Sequence, residues 1–147
     1  MVTEEQLQTD MQAAMKSGDK VKLLVLRDVM TAIKNLKVEK MTSSLAEADI
    51  VQVLRKEANK RAEALEFARQ ANRADLVEKN LREKEILESY LPAQLSAAEL
   101  EAAIRSIAEE VGGYQIGPIM AKLRERFAGR FDGKVASELV KQLAQRA

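Results

Sequence analysis

The stretch Gln115-Ile-Gly-Pro-Ile-Met-Ala-Lys-Leu-Arg-Glu-Arg-Phe-Ala-Gly-Arg-Phe-Asp-Gly-Lys-Val-Ala-Ser-Glu-Leu-Val-Lys-Gln-Leu143 decides how the chain is read. Ile116, Ile119, Met120, Leu123 and Phe127 recur at the three/four spacing of one helical face. Gly129 then stops the helix, because a residue without Cβ takes the left-handed conformation cheaply. Asp132 is suited to cap a second helix whose apolar side is Val135, Leu139, Val140 and Leu143. Between the two lies Gly129-Arg-Phe-Asp-Gly-Lys134, a short basic turn with two glycines.

Outward from this unit, the same helical punctuation runs through the chain. Thr3 caps a first helix with Leu7, Met11, Ala14 and Met15 on one side, ending at Ser17-Gly18. Asp19 opens a second, from Lys20 to Lys40, with the widely apolar set Val21, Leu23, Val25, Leu26, Val29, Met30, Ile33 and Leu36. Ser44 and Glu47 have the form of a capping box for a third helix, from about Ala46 to Ala71. In it Ile50, Val53, Leu54, Ala58, Leu65 and Ala68 point inward. Asn72 is the expected next cap, with a fourth helix over Asp75 to Tyr90. Leu91-Pro92 ends that helix, since proline biases its predecessor out of the helical region. Ser96 and Glu99 form a second capping box, and Leu100, Ala103, Ile104, Ile107, Ala108 and Val111 give a clean amphipathic helix up to Gly112-Gly113. The expected fold is all-α: an N-terminal four-helix part, residues 1–91, and a small C-terminal three-helix domain, residues 97–147.

Composition narrows the chemistry. Among 147 residues, 46% are apolar, 32% charged and 3% aromatic, with no cysteine and no histidine. That excludes disulfides, thiolate nucleophiles, Cys/His zinc sites and imidazole catalysis. An acidic start at Glu4-Glu5 and no long apolar run argue against a signal peptide or a membrane span, so a cytoplasmic location is expected. The net charge is +1, but residues 114–147 set Lys122, Arg124, Arg126, Arg130, Lys134, Lys141 and Arg146 against Glu125, Asp132 and Glu138. The acidic stretch immediately before holds Glu99, Glu101, Glu109 and Glu110 against Arg105.

Several sites can be weighed on residues alone. Gly129-x-x-x-Gly133-Lys134 is one residue short of a phosphate loop, has Val135 where Ser or Thr would hold Mg²⁺, and follows no strand. The carboxylates Glu83, Glu85 and Glu88 are interspersed with Lys79, Arg82 and Lys84, as on a solvated ion-pairing face. Met11, Met15, Met30 and Met120 fall at core positions. No cofactor, metal site or catalytic residue is expected. The remaining candidate is the basic tip, where Lys122, Arg126, Arg130, Lys134 and Lys141 and a helix N-terminus suit the phosphates of a folded RNA.

Gly-x-x-Met, a basic helix, Gly-Arg-x-Asp-Gly-Lys and a terminal amphipathic helix resemble the C-terminal signature of the GatB/YqeY family. Here Gly117, Met120, Gly129, Arg130, Asp132, Gly133 and Lys134 carry it. The family comprises the tail of the tRNA-dependent amidotransferase B subunit and free-standing proteins made of little else. The similarity extends over nearly the whole chain, including Tyr90-Leu-Pro-Ala-Gln-Leu-Ser96, which is similar to the family's joint between two helical parts. It departs at Pro118, where a polar residue is usual, and at Phe131, where a small one is. The resemblance implies an all-helical fold and a tRNA partner, touched at its elbow. It implicates Gly117, Gly129, Arg130, Gly133 and Lys134 in the contact. It also leaves open an accessory part in a glutamine-dependent carbon–nitrogen ligase (amidotransferase) activity. A third possibility is a helical protein-interaction module docking on an amidotransferase or another translation protein.

Overall fold

The computed structural model describes residues 2–147. Its seven helices are α1 (Glu4–Ser17), α2 (Lys20–Lys40), α3 (Glu47–Gln70), α4 (Ala74–Glu88), α5 (Ala97–Val111), α6 (Ile116–Arg126) and α7 (Gly133–Arg146). Among the described residues there is no strand, so the fold class is all-α. None of these helices is long and apolar enough to cross a membrane. Contacts divide the chain into two units, Met1–Leu91 with α1 to α4 and Pro92–Ala147 with α5 to α7.

In the first unit α2 supplies the centre of the core. Val25, Leu26, Val29 and Ile33 are fully enclosed and meet Leu7 of α1, Leu54 of α3 and Leu87 of α4. The caps at Thr3 and Asp19 form as their side chains require, accepting from Gln6 N–H and Lys22 N–H, both at 3.1 Å. Two helix starts differ from expectation. The Ser44/Glu47 box does not form, because Thr42 Oγ1 accepts from Ser44 N–H and donates to its carbonyl, holding Ser44 in the turn. The helix begins after Ala46 instead, and Asp49 returns its carboxylate to the Ala46 N–H at 3.3 Å. Asn72 does not cap α4. It takes the left-handed conformation, φ 55°, and closes α3, leaving Arg73 at the N-cap. Met15 is 59% exposed and not a core residue: it lies one position past the Leu7–Met11–Ala14 line.

Two polar contacts tie this unit across its helices. Tyr90 Oη donates to Asp10 at 2.6 Å, fastening the end of α4 to α1, and burial followed by the Asp10 carboxylate pushes its phenol pKa up. Arg61 bridges Glu57 and Asp28, both at 2.9 Å, with Glu83 at 3.6 Å. Glu57, 5% exposed, is the buried acid of the unit. Glu83 therefore pairs across helices rather than along its own solvated face, whereas Glu88 pairs along it with Lys84 at 3.3 Å.

The second unit packs Leu100, Ile104 and Ile107 of α5 against Ile119 and Leu123 of α6 and Ala136, Val140 and Leu143 of α7. Ser96 and Glu99 make the expected box, at 3.1 and 3.0 Å. Two expected apolar contacts fall outside this core. Val135 is 57% exposed, because capping at Asp132 sets the register so that Ala136, Val140 and Leu143 share the inner face. Ile116, at the first position of α6, is 38% exposed.

Candidate nucleic-acid interface

The basic turn is built from the end of α6 and the start of α7. α6 ends as Phe127 leaves helical geometry. Gly129 then takes φ 74°, a conformation that strains any residue with a Cβ, and reverses the chain. Phe131 turns into the C-terminal core, which gives the unusual large side chain at that position a packing role. Pro118 sits in the first turn of α6, where the missing N–H has no intrahelical acceptor to lose.

Arg130 is held on several sides. Its Nε donates to the Ala93 carbonyl at 2.9 Å, its own carbonyl accepts from Leu95 N–H at 2.7 Å, and its guanidinium carbon lies 5.8 Å from the Phe127 ring centre. Glu99 faces it more distantly. The hydrogen bonds from Ser96 hold that carboxyl below its usual range, and the Arg130 charge adds to this. Among the described residues no carboxylate stands at ion-pair distance from Arg130, so the two terminal nitrogens keep their charge for another partner.

Arg126 is placed differently from expectation. Both ends of its guanidinium fork grip Glu110 of α5 at 2.6 Å. The pair lowers the Glu110 pKa and raises that of Arg126, in each case chiefly through the hydrogen bond. Arg126 thus cannot serve as an uncommitted cation while Glu110 is ionised. Lys122, one turn earlier, reaches Glu110 only through its field. Lys134 and Lys141 are exposed, seven residues apart on one side of α7, with Glu138 between them in sequence. Among the described residues neither lysine has an ion-pair partner.

The helix start at Gly133 is also less open than a bare N-terminus. Asp132 Oδ1 accepts from Lys134 N–H at 2.8 Å and from Val135 N–H at 3.4 Å, so two of the amides are already satisfied by an anion of the chain itself. Gly133 lies outside the left-handed region, so positive φ is not its reason for being glycine. A Cβ added at Gly133 or at Gly117 meets nothing within 4 Å. The fold itself thus asks for glycine at 129 and not at 117 or 133.

The residues do not all gather at one point. Arg126, Gly129, Arg130, Gly133 and Lys134 belong to the corner. Gly117 is at the other end of α6, about 15 Å along the axis from Phe127, and Lys141 is about 10 Å along α7 from Lys134. Sequence reasoning missed the Ala93 carbonyl and the Phe127 ring as supports of Arg130, and Glu110 as the partner of Arg126. The acidic stretch beside the basic one signals such pairing in general but names no pair.

Comparison with known proteins adds a lineage. The family model described as Yqey-like protein matches residues 4–144. Two proteins named Altered inheritance of mitochondria protein 41, mitochondrial, from Lachancea thermotolerans and Kluyveromyces lactis, are each 30% identical to this chain, over 108 and 101 residues. The aligned stretches are 71% and 69% of this chain but 57% and 55% of those proteins, so the chain spans just over half of these relatives' length. Because the family match runs from α1 through the corner into the last turn of α7, the chain belongs to the YqeY-like family.

Proposed function

We propose that this protein is a non-catalytic module that binds folded RNA, with tRNA as the intended partner, through the corner between α6 and α7. The observation that carries the proposal is the set of cations at and beside that corner that, among the described residues, form no ion pair: Lys134, Lys122, Lys141 and the terminal nitrogens of Arg130. Phosphates are the natural counter-charge for such a set, and phosphate contacts fix register without reading bases. The near absence of exposed aromatic side chains in this unit argues against stacking on single-stranded bases. A-form helices hide their base edges from side chains, so a partner recognised here is recognised by shape. Glycines at 117 and 133 that the fold does not need leave room for a sugar-phosphate chain to come close to backbone.

Titrating the full chain against a folded tRNA and against single-stranded RNA of equal length tests this. Tighter binding to the folded RNA, with affinity falling steeply as salt rises, is the expected result. Equal binding to both, or no binding to tRNA at about 50 mM salt, refutes it.

A further inference from the structure

α2 buries Val25, Leu26, Val29 and Ile33 on one side. On the opposite side Lys20, Leu24, Arg27, Thr31, Lys34 and Val38 form a single exposed file. They are separated alternately by four and three residues, and Met41, 92% exposed, continues the spacing. That alternation keeps the file on one side of α2, and from Lys20 to Val38 it runs about 27 Å. The cations recur at every seventh residue, with Leu24, 55% exposed, and Val38, 72% exposed, between or beyond them.

The charge pattern is as regular as the spacing. Lys37 and Lys40 of the same helix are paired, with Glu4 at 2.6 Å and Asp49 at 2.7 Å. Among the described residues Lys20, Arg27 and Lys34 have no ion-pair partner, and the file contains no acid. The Thr31 hydroxyl is used within the helix, donating to the Arg27 carbonyl at 3.0 Å.

Isolated exposed apolar side chains are ordinary on any protein. Apolar side chains aligned at heptad spacing with unpaired cations select among partners. A nucleic acid would meet the cations but gain nothing from Leu24, Val38 and Met41. An anionic lipid surface needs a broad apolar face, whereas this file is one residue wide and is bordered by Asp28 and Glu39, which such a surface repels. A second copy of α2 would set like charges against each other. An acidic amphipathic helix satisfies both features, with its apolar seam on Leu24 and Val38 and its carboxylates reaching Lys20, Arg27 and Lys34. The geometry points to this face of α2 as the docking seat for one acidic amphipathic helix of a protein partner. It goes beyond the RNA contact and lies in the other unit of the chain.

A labelled synthetic helix of 21 residues, with leucine at heptad seam positions and glutamate beside them, is the probe for the full chain. Saturable binding is expected, lost when the peptide's residues are scrambled. Lys20→Glu with Arg27→Glu and Lys34→Glu should weaken it by at least about tenfold, taking each exposed pair at a few-fold. Leu24→Ser with Val38→Ser should weaken it several-fold. Melting and tRNA affinity should stay at the parent values in both variants, which keeps this outcome separate from that of the RNA contact. Absence of saturable binding, or equal binding by either variant, overturns the proposal. So does a charge reversal whose loss appears in tRNA affinity, in phosphatidylserine-vesicle binding or in self-association instead.

Discussion

Arg130 and Ala93 are joined by a hydrogen bond of 2.9 Å from the guanidinium Nε to the carbonyl, and the Arg130 carbonyl accepts in turn from Leu95 at 2.7 Å. The arginine of the corner that has no ion-pair partner among the described residues is thus also a clasp on the segment entering the C-terminal unit. Its substitution mixes a binding effect with a structural one, so the clean tests of RNA contact lie at the lysines.

The clasp itself can be measured. Arg130→Ala removes a charged donor from the Ala93 carbonyl, and a loss of about 1–2 kcal/mol in the stability of the second unit is expected. Amide exchange at Leu95 should quicken by about tenfold, as one lost kilocalorie or more implies. Unchanged exchange at Leu95 shows that the side chain does not hold the segment.

Glu110 restrains Arg126, and its removal should enhance binding. Glu110→Gln keeps the shape, frees the guanidinium and deletes a negative charge beside Lys122. Affinity for tRNA should rise several-fold, and the log–log salt slope should steepen by about one phosphate's worth, roughly 0.7–0.9. An unchanged slope places Arg126 outside the contact.

The same pair sets an acid limit. The Glu110 pKa is lowered in the folded chain, so its contribution is present above the unfolded carboxylate pKa and is lost as pH falls through the folded one. Urea midpoints of the parent should drop more than those of Glu110→Gln as pH is lowered below the unperturbed value of 4.5. At neutral pH the parent should lead by that same small margin, small because both partners are exposed, and the two curves should converge in acid. Parallel curves throughout the acid range count against the pair.

The two glycines without a conformational reason give an opposed pair of effects. Gly117→Ala and Gly133→Ala add a methyl group in open space within helices, and each should hold or raise stability, by up to about 1 kcal/mol. If RNA backbone approaches there, affinity falls at the same time. Destabilisation by either change means that the glycine serves the fold after all.

Much of the fold is legible because the helix starts are chemically marked. Thr3, Asp19, Ser96 and Asp132 each carry an oxygen that reaches a free N–H, and each caps where the sequence places it. The starts of α3 and α4 are not legible for the same reason: Ala46 has no side-chain oxygen, and Arg73 caps without a side-chain bond. In the candidate site, charge and glycine spacing single out the corner from sequence. Which cations remain available is decided by partners far along the chain, Glu110 for Arg126 and the Ala93 carbonyl for Arg130, and such pairings leave no local trace.

The most direct test is the tRNA affinity of the full chain with Lys122→Glu and Lys134→Glu, beside the parent, at moderate salt and with melting monitored. Both lysines lack an ion-pair partner among the described residues, so their reversal should leave the fold intact. Affinity lower by at least about tenfold, with an unchanged melting temperature and a shallower salt slope, is the predicted result. Equal affinity of the two chains contradicts the proposed contact.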